Sequence, residues 1–199
     1  MIVEVPDNED AAESFPEKDA GNEIEARESH RIQAVLAQMG IDMGFRVWIP
    51  RSDRAAVAKL LRSESHSALI DILPLNYDDA TIKTVEQIDV IWMRNRSIAR
   101  AFDVEHTTAI YSGLLRMADL LALQPNMDIR LHIVVPDEKR DKVLREIKRP
   151  VFSLLDRGPL YESCSFIPYG GIEEIAKMKH LAHMSDSILE EFEESAEEV

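Results

Sequence analysis

Ile88-Asp89-Val90-Ile91-Trp92 and, a few residues later, Ala101-Phe102-Asp103-Val104-Glu105-His106 decide how this chain folds. Side chains two apart in a strand share a face, so Asp103 and Glu105 project together while Phe102 and Val104 point the other way. Thr84 to Met93 and Ser97 to Glu105 read as two strands, with Arg94-Asn95-Arg96 as the hairpin turn between them. Antiparallel pairing then carries Asp89 to the same end of the sheet, which makes three acids in one patch. Two readings fit that pattern. The acids form the solvated face of a hairpin, or they surround a cation, for which hard carboxylate oxygens suit Mg²⁺, with Mn²⁺ as a substitute, far better than zinc. Asp and Glu are poor strand formers, and their place in the most apolar part of the chain favours the second.

Outward from this core the elements alternate. Asn22 and Glu25 have capping-box spacing, and Ile24, Glu28, Ile32, Val35 and Met39 recur at helical intervals until Gly40 and Gly44 close a first helix. Phe45 to Ile49 is a short β-rich run ended by Pro50, Arg54 to Leu61 reads as a helix, and Leu69 to Ala80 as loop. Ile110, Tyr111, Leu114, Leu115, Ala118 and Leu121 form an amphipathic stripe before Pro125. Arg130 to Val135 suits a strand covered on both faces. A charged helix over Glu138 to Lys148, a short strand over Ser165 to Pro168 and a last helix over Ile172 to about Glu191 complete an α/β order: a mixed central sheet flanked by helices.

Composition bounds the rest. The chain has 199 residues, 45% of them hydrophobic, enough for one core. No apolar run reaches the roughly 18 residues of a membrane helix, and the start is acidic, so no membrane role and a cytoplasmic location are expected. The net charge of -14 is concentrated at the ends. Residues 1 to 30 hold ten acids against Lys18 and Arg27, and residues 186 to 199 hold seven acids and no base, leaving the middle near neutral. Three parts are therefore expected: an acidic disordered tail over 1–22, one domain over 23–185, and an acidic helix end or tail over 186–199. Cys164, the sole cysteine, is read as a small buried apolar residue.

Other candidates carry two readings each. Glu28 lies on the apolar stripe of the first helix and either points a carboxylate at the sheet or reaches water at a ragged helix start. His106 is expected to make a supporting hydrogen bond, and Thr107 and Thr108 to cap the next helix. Gly113, inside a helix, suggests close helix-to-sheet packing. The basic residues among Lys139, Arg140, Lys142, Arg145, Lys148 and Arg149 either track a phosphate backbone or are simply solvated. Trp48 and Trp92 are expected in the core.

The element order and acids together resemble the PD-(D/E)XK, or restriction-endonuclease-like, nuclease superfamily. Asp89 matches the first aspartate of the motif and Asp103-Val104-Glu105 its second half, while Glu28 is similar to the first-helix glutamate of some members. The stretch from Glu28 to Val135 also resembles nuclease-like proteins with an acid-Val-Glu-His-Thr-Thr run followed by Ile-Tyr-Ser-Gly-Leu-Leu-Arg-Met. Where the motif usually has lysine, this chain has Glu105; Lys83 and Arg100 are neighbouring cations, and neither is assigned the lysine's role.

The resemblance implies Mg²⁺-dependent phosphodiester hydrolysis of DNA in restriction, another defence setting or repair. Asp89, Asp103 and Glu105 would be metal ligands, and these three with Glu28 the catalytic acids. A homodimer would suit cutting both strands. The competing expectation, favoured by the missing lysine and the net acidity, is a non-cleaving module whose acidic tails engage a basic protein partner or block its own nucleic-acid groove.

Overall fold

A computed structural model describes residues 16–105, 110–123, 129–155 and 158–196, with side chains from Glu23 onward. His106, Thr107 and Thr108 lie outside the described residues. The five strands are β1 (Arg46–Trp48), β2 (Val90–Arg94), β3 (Ser97–Val104), β4 (Arg130–Val135) and β5 (Cys164–Pro168), in the spatial order β1-β2-β3-β4-β5. β1 to β3 pair antiparallel, whereas β4 joins β3, and β5 joins β4, in parallel. The sheet is mixed and flanked by helices, an α/β fold consistent with the restriction-endonuclease-like class.

The helices are α1 (Pro16–Asp42), α2 (Arg51–Ala58), α3 (Asp79–Val85), α4 (Ile110–Leu123), α5 (Arg140–Ile147), α6 (Pro150–Ser153) and α7 (Tyr169–Ala176). Strand alternation divides the core into two layers. Phe102, Val104, Val134 and Ile167 pack with Ile32, Leu36 and Met39 of α1 and Ile172 of α7. Ala101, Leu131, Ile133 and Phe166 pack on the opposite face with Leu114, Met117 and Leu121 of α4 and Leu144 of α5. Asp103 and Glu105 therefore belong to the α4 face, as the alternation with Phe102 and Val104 requires. Trp48, Trp92 and Cys164 are buried as expected, and burial pushes the Cys164 thiol up and keeps it protonated.

Four boundaries differ from the sequence reading. The first helix starts at Pro16, ahead of Asn22, with the proline in the first turn, where its missing N–H costs no hydrogen bond. The second starts at Arg51, directly after Pro50. Thr84 to Ile88 is not strand: α3 runs to Val85, because Asp78 caps it by accepting from the Ala80 and Thr81 amides at 3.0 and 3.1 Å. β2 consequently begins at Val90, just after Asp89.

The long last helix is also absent. α7 ends at Ala176, the chain turns through His180 at a left-handed φ of 67°, and two 3-10 turns follow at Leu181–His183 and Asp186–Glu191.

The acidic C-terminal stretch, expected as a helix end or tail, is docked over its described residues on the far end of the sheet. Ile188, Leu189 and Ala196 are buried. Arg100, almost wholly inside, donates to Asp186 at 2.7 Å and to Glu190 at 3.4 Å. Glu193 accepts from Ser165 at 2.9 Å, and Glu194 exchanges two backbone hydrogen bonds with Phe166 of β5, at 2.9 and 2.8 Å. The partners of these acids, Arg100 and Ser165 among them, lie far away in sequence. Among the described residues no helix is long and apolar enough to cross a membrane.

Candidate active site

The end of the sheet opposite that docked segment gathers the acids. Parallel pairing puts the C-terminal ends of β3, β4 and β5 on one edge, and the antiparallel hairpin brings the start of β2 to meet them. Asp89 accepts a hydrogen bond from the Val104 amide at 2.7 Å, which fixes it across the hairpin. The charge of Asp103 lies close enough to act on it directly. Asp103 is fully buried and Glu105 nearly so.

The sequence reading missed the group at the centre. Arg116, on α4, reaches across with Nε donating to Asp103 at 3.0 Å, and one terminal nitrogen donating both to Asp103 at 2.8 Å and to Glu105 at 2.9 Å. A planar guanidinium fits this fork geometry, which an ammonium cannot match. Gly113, one helical turn before it, makes the approach possible: a Cβ there would stand 2.6 Å from Asp103 Oδ2 and 3.3 Å from Glu105 Oε1. The expected close packing at Gly113 is thus helix against carboxylates. Gly113 and Arg116 both lie in the Ile110 to Met117 run, so the sequence contained the signal, but helical spacing alone does not say which polar residue turns inward.

Burial and crowding raise the carboxyl groups of Asp89 and Glu105. Asp89 is held well above the usual carboxylate range, by desolvation first and the Asp103 charge second. Glu105 is raised to about 7 by burial and by Asp103, with Arg116 opposing. A raised carboxyl stabilises the fold while protonated, below its unfolded value near 4.5, and that contribution is lost as pH climbs through about 7. Glu105→Gln is therefore expected to flatten the fall in urea midpoint between pH 5 and pH 8 relative to the wild type. An unchanged slope would mean that Glu105 does not titrate in this window.

Glu28 has another immediate partner. It accepts from Arg31 at 2.6 Å, and Arg31 also holds Glu173 of α7. Its link to the site runs through Tyr169, whose hydroxyl donates to the Glu105 carbonyl at 3.4 Å and is raised by burial first, with the charges of Glu28, Glu105 and Asp89 adding to it. Of the two neighbouring cations, Arg100 belongs to the far end of the sheet, whereas Lys83 lines a cleft with Asp89. Among the basic residues near α5, Arg140 is bonded to Glu194 and Arg149 to Glu146.

Among the described residues no group of three or more His, Cys, Asp and Glu side chains is arranged to hold a metal ion. The donor chemistry nonetheless leaves room for one. Three carboxylates face the single guanidinium of Arg116 and share its charge, an excess of two negative charges when all are ionised.

Comparison with known proteins follows the same line. The chain is 32% identical over 184 residues to the type II restriction enzyme NmeDI of Neisseria meningitidis serogroup C, covering 88% of this chain and 50% of that protein. It thus spans about half the length of the curated relative it matches. No solved structure matches it. Residues 5–199 match the family described as the type II restriction enzyme NmeDI C-terminal domain, and the chain belongs to that family.

Proposed function

We propose that this chain carries the catalytic centre of a DNA endonuclease of restriction, hydrolysing phosphodiesters with Mg²⁺ or Mn²⁺ in a variant PD-(D/E)XK site. The observation that supports it is the convergence of Asp89, Asp103 and Glu105 on Arg116 at one sheet end, in a chain of a restriction-enzyme family. Asp89, Asp103 and Glu105 would hold the ion, which when bound supplies Lewis acidity and a lowered water pKa.

The chain's own groups do the rest. Glu105 takes a proton from the attacking water, whose oxygen forms the new bond to phosphorus as the ester P–O bond breaks, and the departing oxygen takes a proton from solvent. Arg116 keeps Asp103 and Glu105 at a fixed spacing, so that neither must reorganise during the reaction. Glu28 acts from outside, through its charge at Tyr169. The second reading, a non-cleaving module with free acidic tails, loses support at the C-terminus, where Glu190, Glu193 and Glu194 are already engaged.

Calorimetric titration with Mg²⁺ and Mn²⁺, paired with nicking of supercoiled plasmid, tests the proposal. Metal binding with metal-dependent nicking is expected, and neither binding nor nicking would select the module. Gly113→Ala gives a finer check. Its added Cβ displaces the carboxylates from Arg116, and misplacement of about 1 Å costs on the order of 10²-fold in rate. Nicking should fall by that order while far-UV circular dichroism stays unchanged. A variant as active as the wild type would show that the close approach of α4 is irrelevant to the chemistry.

A further inference from the structure

Among the described residues, three buried polar atoms lack a hydrogen-bond partner: Gln33 Oε1, Trp48 Nε1 and Arg54 Nε. Gln33 still donates through its amide nitrogen to Asp53, and Arg54 through its two terminal nitrogens to Asp71, Ile49 and Ile70. Trp48 has no such alternative, because an indole has one donor and no acceptor. Trp92 is the contrast, since its Nε1 donates to the Leu36 carbonyl at 3.1 Å. A fully buried indole N–H without a partner in the chain finds its acceptor outside it, in an ordered water or a ligand.

Trp48 lines a cleft of about 430 Å³ between the start of α2 and the end of α3, with Asp89 in its wall. Two of the acids there are already engaged: Asp53 accepts from Gln33, and Asp89 from the Val104 amide. Arg51 and Lys83 line the same cleft and make no ion pair among the described residues. Glu86 is the one acid of the cleft left over, so the uncommitted groups are mainly donors and cations. Arg51, Lys83 and the Trp48 N–H together offer contacts to an anion with acceptor oxygens, and the volume leaves room for more than a bare phosphate.

We infer that this cleft seats a phosphate of the DNA strand beside the bond cut at Asp89, with Lys83 and Arg51 meeting its charge and Trp48 Nε1–H donating to one oxygen. The inference rests on the nuclease reading above. It also places beside Asp89 a positive charge that Glu105 cannot provide.

The sequence contains two tryptophans, so the indole N–H region of a ¹⁵N spectrum holds two resonances, and Trp48→Phe assigns them. On adding a short metal-free DNA duplex to the full chain, the Trp48 signal is expected to move downfield to saturation while that of Trp92 stays. Arg51→Ala combined with Lys83→Ala should weaken duplex binding about tenfold or more, through the loss of two charge-assisted contacts. An unmoved Trp48 signal, undiminished affinity in the double variant, or inorganic phosphate binding as tightly as the duplex would each overturn the inference.

Asp103→Asn separates this outcome from that of the parent reading. If the variant neither cleaves nor shifts Trp48, the cleft assignment fails and the nuclease stands. If it still cleaves, the nuclease assignment fails whatever Trp48 does.

Discussion

Asp103→Asn is expected to lower metal-dependent plasmid nicking by about 10³-fold or more, because it removes one of the negative charges proposed to hold the ion. The position is fully buried, and both oxygens are held by Arg116, at 3.0 and 2.8 Å. Asparagine has the same shape and keeps one acceptor oxygen, so Arg116 retains that bond and its contact with Glu105 at 2.9 Å. Alanine would remove both bonds and confuse loss of chemistry with loss of fold. The substitution also relieves the crowding that raises Asp89. Stability should therefore change far less than rate, and urea unfolding run beside the nicking assay separates the two. Retained metal-dependent nicking would refute the assignment of Asp103.

Gly40→Ala should give the largest loss of stability. Gly40 lies inside α1, where alanine would ordinarily gain about 1 kcal/mol of helix propensity. Here the new Cβ would overlap Trp92 Nε1 and stand 2.7 Å from Cδ1 and Cε2. The ring has nowhere to go. It is fully buried, stacked on Phe45 at 5.3 Å, against Phe102 at 4.8 Å, and tied by Nε1 to Leu36.

Overpacking of about 3 kcal/mol, with an indole hydrogen bond worth about 1 kcal/mol lost, outweighs the propensity gain. The net loss of about 3 kcal/mol lowers the melting temperature of a domain this size by roughly 6–12 °C. A variant as stable as the wild type would show that α1 can lift off the sheet at little cost.

Local patterns were legible where local physics decides. The alternation of Phe102, Asp103, Val104 and Glu105 gave the correct faces. The apolar run over Arg130 to Val135 gave a strand within its observed bounds. The convergence of the three acids followed from the hairpin alone. What escaped depends on partners distant in the chain. Thr84, Val85 and Ile88 look β-forming, but the Asp78 cap commits the segment to helix before their propensity counts. Arg116 sits on a helix with abundant apolar neighbours, and only the sheet's carboxylates turn it inward. The docking of the C-terminal acids is not visible in the sequence, because Arg100 and Ser165 become their neighbours only after folding.

The pairing of Glu194 with Phe166 also bears on how the protein can be handled. β5 closes one side of the sheet, and Glu194 occupies part of its open row of amides and carbonyls. Shortening the chain before Asp186 would bare that row to the matching strand of another molecule, the first step of edge-to-edge aggregation. Affinity tags and fusions therefore belong at the other terminus, and proteolysis near Ser185 should appear first as turbidity.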